Sequence, residues 1–218
     1  MRIELSSGTP AELVRSDSAA LGLVIAADIF GLRPLYVELA ERLSRERNYT
    51  VCVPEPFPGR ELGPDIDARR AAVSSLRDAD VLGDLALAAA ATGIDRVALI
   101  GFCMGGMYTF KAAGTGRFSR CAAFYGMIRI PPDWRGDGHA EPLDALARPG
   151  ATPTLAIIGE LDPYTPPDDV KALETRPGVT VVRYPQAEHG FVHDPSRPSH
   201  RVADAADAWA RALAFVES

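Results

Sequence analysis

The sequence predicts a single α/β domain over residues 1–218, with a mostly parallel sheet and helices on both of its faces. Apolar runs of strand length alternate with helical stretches, an order that is typical of parallel sheets. The apolar run at residues 21–28 is continuous, which indicates a strand buried on both faces. With 218 residues, 47% of them hydrophobic, the chain is long enough to bury one core. No repeat, linker or low-complexity segment divides it.

Strands are expected where an apolar run is bounded by turn residues or prolines, and the strands at 21–28 and 49–55 are expected to be buried. These runs cover residues 21–28, 49–55, 95–102, 121–126, 152–160 and 179–185. Two shorter pieces, residues 2–7 and 12–16, precede the first run. We expect them to pair as an antiparallel edge of the sheet.

Helices are expected between the strands. Leu35, Leu39 and Leu43 fall on one helical face and indicate the first helix, and an alanine-rich stretch predicts one long helix over 67–92. The expected helices cover residues 33–48, 67–92, 104–113, 168–174 and 201–217. The Pro- and Gly-rich stretch 130–153 is expected to cross the sheet edge and to wall a binding site.

Charge and composition argue against several classes of function. The net charge is −6 at pH 7 and no basic run occurs, which argues against nonspecific nucleic-acid binding. No signal-peptide pattern opens the sequence, and no apolar stretch reaches the length of a membrane span. We therefore expect a soluble, cytoplasmic protein without nucleic-acid or membrane partners. The three cysteines match neither a disulfide framework nor a zinc site, so no metal is expected.

The segment 101–106, Gly-Phe-Cys-Met-Gly-Gly, lies between a predicted strand and a predicted helix. This is the context of a nucleophile elbow, a turn so tight that the residues two before and two after the nucleophile must be glycine. Cys103 would then lie at a helix N-terminus, which favours a thiolate, and the Met104 N–H would point to a developing oxyanion. The plainer alternative is a free cysteine in a glycine-rich turn. Cys52 and Cys121 lie in apolar strand runs and are expected to be core residues.

The acid and the base are expected after later strands, because α/β-hydrolases carry them in the order nucleophile, acid, histidine. Asp162 follows the run 152–160 and His189 follows the run 179–185. A carboxylate at Asp162 could orient the imidazole of His189. Rival acids are Glu160, Asp168 and Asp169, the last two at a helix start where capping explains them. His193 is the rival base, and His139 and His200 are expected at the surface.

Five segments of the chain resemble the dienelactone hydrolase family. They are residues 28–31 (Asp-Ile-Phe-Gly), 54–57 (Pro-Glu-Pro-Phe), 101–106, 159–163 (Gly-Glu-Leu-Asp-Pro) and 187–191 (Ala-Glu-His-Gly-Phe). The resemblance covers most of the chain from about Leu21 onward. It implies the α/β-hydrolase fold, a Cys103–His189–Asp162 triad, and an oxyanion hole from the N–H groups of Met104 and Ile29. It also implies activity on enol-lactones such as dienelactone, without a cofactor.

The resemblance further implies residues that bind the substrate. Asp28 stands where the family has a glutamate that holds the resting thiol. Arg70 matches the first of two arginines that bind the substrate carboxylate, and His193 stands at the position of the second, with Arg197 as a possible substitute. Tyr125 and Phe191 are expected to wall the pocket, together with Trp134 and Tyr164.

The function predicted from these residues is hydrolysis of an ester or lactone through a thioester acyl-enzyme. A thiolate suits substrates with a good leaving group, such as enol-lactones, activated esters and thioesters. An acyltransferase or cyclase would use the same groups and differ only in the acceptor. A glutaminase-like enzyme would lack the acid and histidine after the elbow, and a non-catalytic binding protein could keep the fold. The substrate is expected to be a small ester or lactone, and the chain a monomer or weak dimer.

Overall fold

Eight strands form one sheet in the computed structural model, which describes residues 1–218. The strands are β1 (Arg2–Glu4), β2 (Pro10–Val14), β3 (Leu21–Ala26), β4 (Tyr49–Pro54), β5 (Val97–Phe102), β6 (Cys121–Phe124), β7 (Thr154–Gly159) and β8 (Val179–Tyr184). Side by side, their order is β1-β2-β4-β3-β5-β6-β7-β8. From β4 across to β8 each neighbouring pair is parallel, so the predicted sheet is confirmed.

The antiparallel edge predicted from the first residues is also present. β1 pairs antiparallel with β2, with Ile3 opposite Ala11. β2 in turn pairs antiparallel with β4, with Leu13 opposite Cys52. The N-terminal segment therefore covers the edge of β4, which would otherwise leave a row of backbone groups unpaired.

Seven helices pack around this sheet. They are α1 (Pro34–Arg47), α2 (Ile66–Val73), α3 (Asp78–Ala91), α4 (Met104–Ala113), α5 (Pro142–Leu146), α6 (Pro167–Glu174) and α7 (Val202–Glu217). Every residue of β3 to β7 is buried, so the helices cover both faces. The buried apolar side chains form a single cluster of 64 residues, as expected for one core. None of the helices is both long enough and apolar enough to cross a bilayer.

The prediction of one long helix over 67–92 is wrong, because the helical conformation breaks between α2 and α3 at residues 74–77. Arg77 there is extended, with φ −112° and ψ 132°. The stretch 130–153 supplies partners for the backbone groups that the break frees: His139 Nε2 lies 2.5 Å from the Leu76 carbonyl oxygen, and the Asp78 N–H donates to Gly138. Alanine content favours a helix locally, but these long-range contacts decide where it ends.

The parallel strands bring distant residues to one edge of the sheet. β3, β5, β7 and β8 all run in the same direction. The residues that follow their carboxyl ends include Ile29, Cys103, Asp162 and His189. The topology therefore collects all the predicted catalytic groups at the edge where open α/β sheets bind ligands.

A buried ion pair ties α4 to the start of α3. Lys111 Nζ lies 2.7 Å from Asp78 Oδ1, and the lysine side chain is 2% exposed. The other carboxylate oxygen of Asp78 accepts the N–H of Ala140, 2.7 Å away. Asp78, at the start of α3, thus connects α4 with the stretch 130–153, which we call the crossing loop.

We expect Lys111→Met to lower the free energy of unfolding by about 3–5 kcal/mol, because it leaves the Asp78 carboxylate buried without its cation. Lys171→Met is the matched control, since the Lys171–Asp168 pair lies at the surface with side chains 70% and 94% exposed; its expected cost is about 0–1 kcal/mol. Urea unfolding of both variants measures the difference. Equal costs would contradict a structural role for the buried pair.

Candidate active site

Cys103 has the strained backbone of a nucleophile elbow. It joins β5 to α4 with φ 55° and ψ −118°, a conformation that residues with a side chain rarely adopt. A Cβ atom at Gly101 would collide with the Gly105 carbonyl and with Thr109, and one at Gly105 would collide with the Ala26 carbonyl. Glycine at both positions is therefore a steric requirement of the turn, as the sequence predicts.

The helix behind the thiol lies unusually close to the next strand. A Cβ atom at Gly106 would lie 2.7 Å from the Cα atom of Gly126, just beyond β6. Cys103 itself is 8% exposed, and its N–H donates to the Phe124 carbonyl, 3.0 Å away. The Met104 N–H is the first of α4 and has no backbone acceptor, so it is free to bind an anion beside the thiol.

The loop that carries Ile29 presents a second free amide. The Gly31 N–H donates to the Asp28 carbonyl at 3.0 Å, so the Ile29 N–H, on the opposite side of the same trans peptide, points away from that turn. The Ile29 N–H donates to no protein acceptor. The next peptide is fixed too, because Arg69 Nη1 donates to the Ile29 carbonyl at 3.0 Å.

Glu55 supports this loop from β4. Its carboxylate accepts the N–H of Leu32 at 2.9 Å and that of Phe57 at 3.0 Å. Gly31, at φ 75°, lies so close to Glu55 that a Cβ atom would be 2.7 Å from its oxygen. The loop at residues 28–32 is therefore held in one conformation before any substrate binds, which is what electrostatic stabilisation requires.

His189 and Asp162 form a hydrogen-bonded pair. His189 Nδ1 lies 2.8 Å from Asp162 Oδ2, and both side chains are largely buried. His189 Nε2 is buried and makes no hydrogen bond of good geometry. Burial opposes the charged imidazole, but the nearby Cys103 sulfur and the Asp162 carboxylate outweigh it and raise the pKa of His189 to about 10. The environment thus favours imidazolium beside the sulfur.

Two tyrosine rings flank the imidazole. Tyr125 meets it edge-on with 5.1 Å between ring centroids, and Tyr164 does so at 4.9 Å. The Tyr164 N–H also donates to Asp162 Oδ1 at 2.8 Å. Each ring restricts rotation of His189 about its bond to the backbone, so the base keeps the orientation set by Asp162.

Cys103 and His189 line a pocket of roughly 130 Å³. Its wall combines apolar side chains with two arginines; the other lining residues are Asp28, Ile29, Phe30, Ile66, Arg70, Met127, Trp134, Tyr164 and Arg197. Arg70 Nη2 donates to the Tyr164 hydroxyl at 2.5 Å. The Arg197 guanidinium makes no ion pair and packs against Gly190, where a Cβ atom would lie 2.6 Å from its Nη1. Trp134 belongs to the crossing loop, which walls the site as predicted.

Three residues predicted to bind substrate do not line this pocket. His193, Tyr125 and Phe191 are 6%, 0% and 0% exposed. The His193 ring stacks on Phe102, and the Tyr125 and Phe191 rings pack against each other in the core. The prediction is wrong for these three because their side chains turn into the core: Phe191 and His193 lie in the loop after His189, and Tyr125 directly follows β6. Arg70 and Arg197 do line the pocket, and so do the predicted wall residues Trp134 and Tyr164.

Asp28 lines the pocket but does not bind the thiol, contrary to the role predicted from the resemblance. Arg33 Nη1 donates to its Oδ1 at 2.5 Å and Arg33 Nη2 to its Oδ2 at 2.9 Å. His193 Nε2 lies 2.9 Å from the same Oδ2. Burial would raise the pKa of Asp28, but the bonds from His193 and Arg33 hold it well below its usual range.

The rival residues have other partners. Asp168 and Asp169 pair with Lys171 and Arg129 at the surface, and Glu160 lies near Arg183. Burial raises the pKa of Cys52 to about 12 and that of Cys121 further, so neither is a reactive thiol. No cluster of His, Cys, Asp and Glu is arranged to hold a metal ion.

Sequence reasoning missed the residues that support the site from behind. Arg33, Glu55 and Arg69 each bind the loop at residues 28–32. The resemblance points to Arg70 and gives no role to its neighbour Arg69. Two of the family-like segments, 28–31 and 54–57, include or adjoin these contacts, but the sequence of a segment does not show which other segment it contacts.

The chain is similar to proteins of known family. The family model described as "Dienelactone hydrolase family" matches residues 10–218. A Synechocystis protein named "Putative carboxymethylenebutenolidase" is 31% identical over 205 residues, covering 86% of this chain and 81% of its own length. The "Carboxymethylenebutenolidase" of Rhodococcus opacus is 30% identical over 205 residues, covering 89% and 80%.

A solved structure shows the same fold. The crystal structure of a "Putative Dienelactone Hydrolase" from Klebsiella pneumoniae aligns with a TM-score of 0.85 and 28% identity, covering 100% of this chain and 98% of that one. The α/β-hydrolase fold predicted from the elbow and the order of the acid and the histidine is thereby confirmed.

We expect Gly105→Ala to destabilise the protein by about 3 kcal/mol or more, because its Cβ atom would overlap the Ala26 backbone. Gly83→Ala is the matched control. Gly83 also lies in a helix, α3, but a Cβ atom there meets nothing within 4 Å, so alanine should stabilise by about 0.5–1 kcal/mol. Thermal unfolding of both variants tests this; a Gly105→Ala protein as stable as wild type would contradict the close approach at the elbow.

Proposed function

This chain belongs to the dienelactone hydrolase family and is an ester or lactone hydrolase, and we propose that Cys103 is its nucleophile, His189 its base and Asp162 the orienting acid. One observation carries the proposal: a thiol on a strained elbow shares a pocket with an imidazole that Asp162 holds by its Nδ1 atom.

In the first step, the Cys103 thiolate attacks the acyl carbon of the bound ester or lactone. The carbonyl oxygen becomes an oxyanion, which accepts hydrogen bonds from the free N–H groups of Ile29 and Met104. The tetrahedral intermediate then expels the alcohol or enol, and His189 gives this leaving group the proton that it holds. The raised pKa of His189 supports this order, since the imidazolium is available to act as the acid.

In the second step, water hydrolyses the thioester. His189, now neutral, takes a proton from the water as the oxygen attacks the thioester carbon, and the same two amides bind the new oxyanion. Expulsion of the Cys103 thiolate releases the carboxylic acid, and the proton on His189 restores the starting pair. Each amide of the oxyanion hole is worth about 10²–10³ in rate.

The sulfur limits the range of substrates. A thiolate is itself a good leaving group, so the tetrahedral intermediate returns to substrate unless the alcohol leaves at least as easily. Enol-lactones, aryl esters and thioesters meet this condition, and amides meet it only when the His189 imidazolium protonates the departing amine. The names of the relatives favour hydrolysis over acyl transfer and over a binding protein without catalysis.

The two arginines of the pocket favour a substrate with a carboxylate. Arg197 has no acidic partner. Arg70 donates a hydrogen bond to the Tyr164 hydroxyl, and the nearest carboxylate oxygen, Asp67 Oδ1, is 3.9 Å away, which is too far for a hydrogen bond. Guanidinium groups bind carboxylates by paired hydrogen bonds. Phe30, Ile66, Met127 and Trp134 supply the apolar remainder of the wall, which suits a small unsaturated acyl group.

We expect wild-type protein to hydrolyse a chromogenic phenyl ester near neutral pH, and Cys103→Ala to lose this turnover. The matched control is Cys52→Ala, which removes a fully buried cysteine in β4 that lies outside the pocket. It should keep the activity. Initial rates with all three proteins measure this, and mass spectrometry of the wild type after a rapid quench should find the acyl group on Cys103. Turnover that survives Cys103→Ala would reject the proposed nucleophile.

We expect Arg70→Met and Arg197→Met to reduce the preference for carboxylate-bearing substrates. A hydrogen bond to a charged group is worth about 1.5–3 kcal/mol, so the ratio of kcat/KM for a carboxylated aryl ester to that for its methyl-capped form should fall about 10- to 100-fold. Arg45→Met, at an arginine whose side chain is 70% exposed in α1, should leave the ratio unchanged. A ratio that none of the three substitutions alters would argue against binding of a carboxylate by these arginines.

A further inference from the structure

Four side chains form a buried, hydrogen-bonded chain that the proposed mechanism does not use. Arg33 donates to both carboxylate oxygens of Asp28, and Asp28 Oδ2 lies 2.9 Å from His193 Nε2. The other ring nitrogen of His193, Nδ1, is hydrogen-bonded to the Tyr125 hydroxyl. Asp28, His193 and Tyr125 are at most 6% exposed. We call this Arg33–Asp28–His193–Tyr125 series the buried chain.

The hydrogen-bonding capacity of these groups assigns the protons. Asp28 is ionised and can only accept, so Nε2 of His193 carries a hydrogen. If His193 is neutral, its Nδ1 accepts and the Tyr125 hydroxyl donates. Burial lowers the pKa of His193, which agrees with the neutral form. In that form the hydrogen-bonding groups of Asp28, His193 and Tyr125 are all paired, and protonation of His193 would leave the Tyr125 hydroxyl hydrogen without an acceptor.

One end of the buried chain holds the loop of the oxyanion hole. Asp28 directly precedes Ile29, and Asp28 Oδ1 also accepts the Phe30 N–H at 3.0 Å. The backbone N–H of Asp28 donates to the Tyr36 hydroxyl at 2.8 Å. The peptides on either side of Ile29 are thus fixed through the Asp28 residue, whose carboxylate Arg33 and His193 hold in place.

The other end holds the base and the elbow. Tyr125 has φ 40°, a strained value for a residue with a side chain, and the hydrogen bond from its hydroxyl helps to keep it there. Its ring packs edge-on against His189. The next residue, Gly126, contacts the Gly106 backbone. Between the two ends, the His193 ring stacks on the ring of Phe102 with 4.8 Å between centroids. Phe102 is the residue directly before Cys103 in the chain.

We infer that the buried chain is a positioning device, in which His193 holds the Ile29 amide and the His189 imidazole at a fixed separation on either side of Cys103. This inference rests on the proposed function, because it assigns a purpose to a geometry that matters for acyl transfer. Arg33, His193 and Tyr125 touch neither substrate nor reacting atoms in it. They act through the residues that do.

The energetic consequence follows from the geometry of acyl transfer. A displacement of about 1 Å of a catalytic group can cost about 100-fold in rate. Loss of one hydrogen bond of the buried chain should displace Tyr125 or Asp28 by less than about 1 Å, since the packing around both residues remains. A fall of roughly tenfold in kcat is therefore expected, without a change in KM, because the arginines that bind substrate are not part of the buried chain.

The test compares Tyr125→Phe with Tyr49→Phe. Tyr49 is also buried, with 3% of it exposed, and its hydroxyl also makes a hydrogen bond, to Glu217. It is the first residue of β4 and therefore lies at the amino ends of the strands, away from the site. Both variants lose a buried hydroxyl and should lose comparable stability. For both variants, kcat and KM are measured with the phenyl ester. The NMR resonances of the His189 imidazole are recorded without substrate.

We expect Tyr125→Phe to lower kcat roughly tenfold and to move the His189 imidazole resonances, with neither change in Tyr49→Phe. Wild-type kcat and unchanged resonances in Tyr125→Phe would overturn the inference and leave the proposed function standing. If wild type itself does not hydrolyse the ester, the proposed function fails, and the His189 resonances alone decide the inference.

Arg33→Met provides a second variant if Tyr125→Phe does not fold. The Arg33 side chain is 25% exposed, so its removal is the milder change. It should lower kcat and shift the His189 resonances in the same way, and Arg33→Lys, which keeps the charge beside Asp28, should restore part of both. An Arg33→Met protein with wild-type kcat and resonances would overturn the inference as well.

Discussion

The close approach of backbone to backbone around Cys103 is the constraint on which the site depends. Gly101, Gly105, Gly106 and Gly126 let α4 lie against the ends of β3, β5 and β6 at distances that no side chain permits. This contact forces Cys103 into its strained conformation and leaves the first N–H of α4 free beside the sulfur. The strained conformation of Cys103 and the free amide beside its thiol thus have one common cause.

The parts of the structure that could be predicted are those written in local sequence. Apolar runs predict strands β3 to β8, and the glycines of the elbow point to Cys103, because period and turn geometry are properties of neighbouring residues. Among these strands β8, at the edge of the sheet, is only partly buried. The pairing of Asp162 with His189 is also predictable, since the carboxyl ends of parallel strands lie along one edge of the sheet and bring the residues after them together.

The rest depends on contacts between distant segments, which local sequence does not encode. The break between α2 and α3 follows from a loop that passes over it some sixty residues later in the chain. His193 was assigned to the pocket because it follows His189 by four residues, but its partners, Asp28 and Tyr125, pull it into the core. Arg33 could not be assigned at all, because nothing local distinguishes a surface arginine from one that binds a buried carboxylate.

Helix α2 supplies part of the wall of the pocket without carrying a reacting group. Ile66 and Arg70 reach the pocket from α2, an eight-residue helix that belongs to neither the elbow nor the loops of the acid and the base. Apart from Arg69, which binds the Ile29 carbonyl, a segment of this kind can diverge in sequence, or be exchanged between homologous proteins, while the reacting groups stay as they are. The fold therefore offers a modular route by which one hydrolytic centre acquires new substrates during evolution.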